Sequence, residues 1–155
     1  MVKKRGKPKA KFTSKKVKKA KAPKKAKQQP SKKELRAEAI KWVKSIKPKE
    51  LLNSNNKSIL ILDIRNKNKF DEWHIQGSQN IDVYNDIWAG NFEDVRKKLS
   101  KLPKDKEIIT ICNAGITAQP ASLILESMGY RTKVLENGMI GWNELSLQFK
   151  QKDVS

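Results

Sequence analysis

Two apolar runs constrain this chain most: Ser58-Ile-Leu-Ile-Leu-Asp-Ile-Arg65 and Glu107-Ile-Ile-Thr-Ile111. Each has the length of a strand, and neither alternates apolar with polar residues. A sheet with one wet face demands that alternation, whereas a strand covered on both faces does not. The runs therefore predict central strands with a layer of structure on each side. Helical patterns surround them: residues 67–73, residues 91–100 with Phe92, Val95 and Leu99 aligned, Thr117–Met128, and Ile140–Phe149. Shorter strands are expected at Asn80–Val83 and Thr132–Leu135, and Gly129-Tyr130 ends the helix before the last of them. Strands alternating with helices over short connections predict an α/β fold, with a mostly parallel sheet and helices on both faces.

Ahead of the first run, Ser31-Lys32-Lys33-Glu34 reads as a capping box. Leu35, Ala39, Trp42, Val43 and Ile46 follow at helical spacing, so a helix is expected over residues 32–45 as a prefix to the domain. Pro48 should end it, because the residue before a proline is pushed out of the α region. A short helix Pro48–Leu52 and a turn at Asn53–Asn56 come next.

Charge divides the chain. Residues 1–33 hold 16 of the 35 Lys and Arg and none of the 16 Asp and Glu, so the remainder carries only +3 of the net +19. The composition changes at Ser31. Residues 1–31 are expected to be a disordered lysine-rich tail, residues 32–150 the folded domain, and residues 151–155 a short C-terminal tail. Through residues 3–33 such a tail could pair with phosphates of RNA or DNA and release counterions. Lys dominates over Arg and Phe12 is the one aromatic there, so contact would be blind to sequence. Polyanionic proteins and anionic lipids are other partners of the same chemistry. Neither a membrane span nor a secretory signal is expected, since no long apolar run occurs and none follows the basic start. One cysteine cannot form an internal disulfide, which fits a cytoplasmic location. Targeting to an organelle by the lysine-rich segment stays open. A single Cys and a single His, far apart in sequence, make no metal-ligand set, and no cofactor is expected.

The one cysteine, Cys112, ends the second apolar run. In parallel sheets, ligands bind beyond the carboxyl ends of strands. Asn113 to Thr117 must turn the chain into a helix start, and Gly115 eases that turn. Such a loop aims several N–H groups at its own centre, with the positive end of a helix behind them, and so suits an anion such as a thiolate or persulfide. The bland alternative is an inert, buried thiol. The residues of the loop leave both open.

Several separated motifs resemble the rhodanese domain. Leu62-Asp-Ile-Arg65 is similar to that family's L-[IL]-D-V-R strand end, and Phe70-Asp-Glu-Trp-His74-Ile-Gln-Gly-Ser78 to its [FY]-x-x-x-H-I-P-G-A. Leu102-Pro103 leads into the strand before Cys112 as in that family. Gly129-Tyr130 and Asn137-Gly138-Met139-Ile140-Gly141-Trp142 resemble its later motifs. The resemblance spans about Ile46 to Leu145 and implies a rhodanese-like three-layer sandwich. It implies a sulfurtransferase in which Cys112 is the nucleophile, carries sulfane sulfur as a persulfide, and passes it to a thiol, cyanide or partner protein. Asn113, Ala114, Gly115, Ile116, Thr117 and Ala118 would form the persulfide cradle. Gly115-Ile116-Thr117-Ala118 resembles the G-V-T-A of thiosulfate and mercaptopyruvate sulfurtransferases, but Asn113-Ala114 matches neither type. Phosphatase chemistry would need an arginine where Ala118 stands. Asp63, Arg65 and His74 are placed at the rim of the site or in structural roles, and Trp88 in a stretch where relatives carry substrate loops. The alternative reading is a non-catalytic or relay rhodanese module tethered to nucleic acid by the basic tail. Oligomeric state is not legible.

Overall fold

The computed structural model describes residues 42–54 and 57–152. Its sheet has five strands: β1 (Ser45–Ile46), β2 (Ile59–Asp63), β3 (Gln79–Asn80), β4 (Glu107–Ile111) and β5 (Arg131–Leu135). They lie in the order β1-β5-β4-β2-β3, and every neighbouring pair is parallel. Six helices accompany them: α1 (Pro48–Leu52), α2 (Lys67–Glu72), α3 (Tyr84–Ala89), α4 (Phe92–Leu99), α5 (Ala118–Ser127) and α6 (Gly138–Lys152).

Two apolar clusters, one on each face, explain why the strands read as unbroken apolar runs. Leu60, Leu62 and Ile64 of the β2 run, Ile108 and Cys112 of the β4 run, and Val134 of β5 pack with Ile87, Val95, Leu99, Ala121 and Leu125 from α3, α4 and α5. The alternate residues Ile59, Ile61, Ile109, Ile111 and Leu135 pack with Leu51 of α1 and Met139 and Trp142 of α6. Successive strand side chains point to opposite faces, so burial on both faces needs apolar residues at nearly every position.

Local chemistry sets the helix ends nearest β4. Pro120 falls in the first turn of α5, where backbone N–H groups lack intrahelical partners and a proline sacrifices nothing. At the other end, Tyr130 N–H donates to Leu125 O and Gly129 N–H to Glu126 O, the paired bonds of a Schellman cap.

Two expectations need correction. Of the helix expected over 32–45, residues 32–41 lie outside the described residues, as do the capping box at Ser31 and the basic segment. Residues 42–45 are not helical: Trp42 is in a turn and Ser45 begins β1. Ser45 and Ile46 pair with Val134 and Leu135, with Val134 N–H donating to Lys44 O and Glu136 N–H to Ile46 O. Ile46 thus reaches the core from a strand, while Trp42, on the same supposed stripe, is 79% exposed. The strand expected at Asn80–Val83 is instead Gln79–Asn80, opposite Leu62 and Asp63. After it the chain bends into α3, a helix the pattern did not announce, with Val83 as its N-cap. No helix among the described residues is long and apolar enough to cross a membrane.

Candidate active site

The sheet order creates a crevice beside β4. The chain leaving β2 leads through α2 to Ile75 on one face, while the chain leaving β4 leads into α5 on the other. Adjacent parallel strands whose connections diverge in this way part at their carboxyl ends, where ligands bind in open α/β sheets. Asp63 is opposite Ile111 in the register, so Asp63 to Arg65 and Cys112 emerge side by side.

Cys112 follows the last residue of β4 and shares its face with Ile108 and Thr110, as the two-residue period requires. Its side chain is buried, and the backbone N–H of Ala118, the first residue of α5, donates to Sγ at 3.3 Å. Asn113, Ala114 and Ile116 are exposed, Ile116 at 62%, whereas Thr117 and Ala118 are buried. Among the described residues, no acceptor takes the N–H groups of Ala114, Gly115, Ile116 or Thr117. Four N–H groups without a protein acceptor, the Ala118 N–H on sulfur and the start of a ten-residue helix thus fall within one short loop.

The loop carbonyls are occupied from behind. Met139 N–H donates to Cys112 O at 2.9 Å and Ile140 N–H to Asn113 O at 3.0 Å, both from the first turn of α6. Helix-start N–H groups that need acceptors meet loop carbonyls that need donors, so the carbonyls of Cys112 and Asn113 face α6. The fit is close. A Cβ on Gly138 would stand 2.1 Å from Cys112 O and 2.8 Å from both Asn113 O and Gly115 N. Gly138 also has φ +51, and Gly115 has φ +80 with its own Cβ position 3.2 Å from Leu135 O. These two glycines let loop and helix touch.

Asp63 and Arg65 form a buried ion pair, with Arg65 Nη2 donating to Asp63 Oδ2 at 2.7 Å, Nε to both carboxylate oxygens, and the Arg65 N–H to Oδ1. Arg65 Nη2 also donates to Trp73 O, and Asn80 Nδ2 to the carbonyls of both Asp63 and Arg65. The pair braces the strand end beside Cys112. His74 is exposed; its Nδ1 lies 2.8 Å from Phe70 O and its ring stacks on Phe70 at 4.0 Å. Trp88 is exposed on α3, tilted against Tyr84. A cleft of about 380 Å³ opens beside the loop between Ala114, Gly115, Gln119, Glu136 and Asn137, and Cys112 does not line it. Lys98, away from the loop, ties α4 to α3; its hydrogen bond to Asp86 raises its pKa, and burial pulls the other way. Gly138 and the N–H groups after it stand in a motif of the sequence, but their contact with the cysteine loop is not legible there. The Asn137-Gly138 pair signals only a turn directly before a helix.

A five-stranded parallel α/β fold with one thiol at the carboxyl end of its central strand defines the class. The Rhodanese-like domain profile matches residues 47–145, and the chain belongs to that family. A thiosulfate sulfurtransferase of Shewanella oneidensis is 29% identical over 89 residues, which cover 57% of this chain and 79% of that protein. A tRNA uridine(34) hydroxylase of Pelagibacter ubique is 33% identical over 89 residues, but the match covers only 28% of that longer protein. The fold is similar to that of a rhodanese-related protein from Thermoplasma volcanium, at 27% identity and a TM-score of 0.55, covering 65% of this chain and 91% of that one.

Proposed function

We propose that the domain is a sulfurtransferase that carries sulfane sulfur on Cys112. The observation that carries this reading is the Ala118 N–H on Cys112 Sγ inside a loop whose other N–H groups have no protein acceptor. The Cys112 thiolate attacks the outer sulfur of a donor. The donor's bond to that sulfur breaks, S–S in thiosulfate and C–S in mercaptopyruvate; the remainder leaves with the bonding electron pair, as sulfite or as the enolate of pyruvate, and Cys112 becomes a persulfide. The terminal sulfur, anionic in that state, sits among the N–H groups of Ala114 to Ala118, with Asn113 and Ile116 at the entrance. An acceptor thiolate or cyanide then attacks that sulfur, and Cys112 leaves as thiolate. Each step moves one sulfur atom, and no external oxidant or reductant enters. The loop segment 112–118 contains no basic side chain, so donor binding relies on the N–H groups.

The test uses the full chain and its Cys112→Ser variant with thiosulfate or mercaptopyruvate, read by intact mass and by thiocyanate formed with cyanide. Wild type gains one sulfur atom and forms thiocyanate; the variant does neither. A wild type that takes up no sulfur from either donor and yields no thiocyanate refutes the reading.

For the basic segment we propose sequence-blind contact with nucleic acid through residues 3–33, which hold all 16 of the Lys and Arg in the first 33 residues. A relay that supplies sulfur to RNA would use segment and loop together.

A further inference from the structure

We propose that Thr110 is a positioning residue for Cys112, which holds the α5 N-terminus so that the Ala118 N–H meets the sulfur. The inference rests on the reading of Cys112 as a sulfur carrier, and it concerns a residue two places earlier on the same strand face. Thr110 is fully buried, between Ile109 and Ile111 in β4. A hydroxyl there must find an acceptor, because an unpaired one in an apolar layer costs about 1–3 kcal/mol. It finds two: Oγ1 lies 3.2 Å from Ala118 O and 3.3 Å from Lys133 O. Its one hydrogen is shared between the first residue of α5 and the neighbouring strand β5.

Ala118 is therefore gripped at both ends of one residue. Its carbonyl receives the Thr110 hydroxyl, and its N–H faces Cys112 Sγ at 3.3 Å. The side chains of Thr110 and Cys112 stand on one strand face, so β4 supplies both the sulfur and the anchor of the donor that points at it. No side-chain cap holds this helix start: Thr117, its N-cap, makes no side-chain capping bond. Without the hydroxyl, the first turn of α5 keeps its apolar contact and the bond from the Ala118 N–H to Cys112 Sγ, and loses the grip on the Ala118 carbonyl. Apolar contact sets a distance but no direction for the N–H.

The experiment compares full-length wild type, Thr110→Val and Thr110→Ser. Two readouts are taken: the rate of Cys112 alkylation by iodoacetamide as a function of pH, and the rate of sulfur loading. Thr110→Val should move the alkylation profile to higher pH and slow reaction at neutral pH roughly three- to tenfold, the factor an ordinary hydrogen bond is worth. Thr110→Ser should restore both rates. The ionisable side chain nearest in the register, Asp63, stays paired with Arg65 in all three, so it does not account for a shift. Alkylation needs no sulfurtransferase activity. Loading can therefore fail in every form, against the proposed function, while the alkylation profile still decides the role of Thr110. A Thr110→Val protein that is folded, less stable, and alkylated with the wild-type pH profile overturns the proposal. If Thr110→Val does not fold, the wild-type Thr110 hydroxyl proton decides by NMR. Slow exchange with a cross-peak to residue 118 supports the proposal, and rapid exchange with solvent overturns it.

Discussion

Replacing Gly138 by alanine should disable the cysteine loop while leaving the sheet intact. Two costs are separable. The first is conformational: with φ at +51, a residue bearing a Cβ loses about 1–2 kcal/mol. The second is steric. A carbon and a carbonyl oxygen rest at about 3.3–3.6 Å, but the new Cβ would be 2.1 Å from Cys112 O and 2.8 Å from Asn113 O. The obstructing atoms are backbone, so α6 and the loop must part by more than about 1 Å for that contact to relax. That movement breaks the bonds from Met139 N–H to Cys112 O and from Ile140 N–H to Asn113 O, each worth about 0.5–1.5 kcal/mol. Together the loss is about 2–5 kcal/mol, a large part of the 5–15 kcal/mol typical of a domain. A displacement near 1 Å at a reacting atom can cost about a hundredfold in rate. Gly90 provides the control. It has φ +77 but no atom within 4 Å of its Cβ position, so Gly90→Ala carries the conformational cost alone. Urea unfolding and time-resolved sulfur loading on both variants should show Gly138→Ala losing more stability and about a hundredfold in loading. Gly90→Ala should load at the wild-type rate. Equal stability losses, with wild-type loading in Gly138→Ala, would refute the view that α6 is pressed against the loop.

Asp63→Asn should cost about 3–5 kcal/mol in chemical denaturation, because it leaves the buried Arg65 guanidinium without its counter-charge; a loss below about 1 kcal/mol, typical of an exposed pair, would show the pair to be solvated. For the basic segment, binding of RNA or DNA by the full chain should fall about 10³- to 10⁵-fold between 50 and 200 mM salt if six to ten phosphates are engaged. A chain beginning at Ser31 should bind far more weakly, and equal, salt-insensitive affinity of the two would remove nucleic acid as the partner.

The parts of the fold legible in the sequence are those whose signal is local and long. Glu107–Ile111 was readable as a strand to the residue, and α5 to within one residue at each end, because a β-branched run of strand length or three helical turns carry their own pattern. Tyr84–Ala89 was not readable as a helix. It has six residues, no side-chain cap, and an apolar contribution to the core concentrated in Ile87. Ser45–Ile46 was read as the end of a helix because Ile46 continues a helical stripe. Two residues carry no period of their own, and what makes them a strand is the free edge of β5.

By itself, then, the sequence determined that this chain builds a buried parallel sheet, and that its one thiol stands where a central strand turns into a helix. Apolar period and the placement of Cys112, Gly115 and Pro120 are properties of neighbours along the chain, so they survive without a folded context. Only the tertiary structure decided what surrounds the thiol. The start of α6 comes from 26 residues beyond Cys112 in sequence to occupy the loop carbonyls, and Gly138 makes that approach sterically possible. Thr110, an interruption in an apolar run when read along the chain, meets Ala118 only because β4 and α5 fold back on one another. Those contacts join groups with no sequence relation, and they set where the N–H groups around Cys112 point.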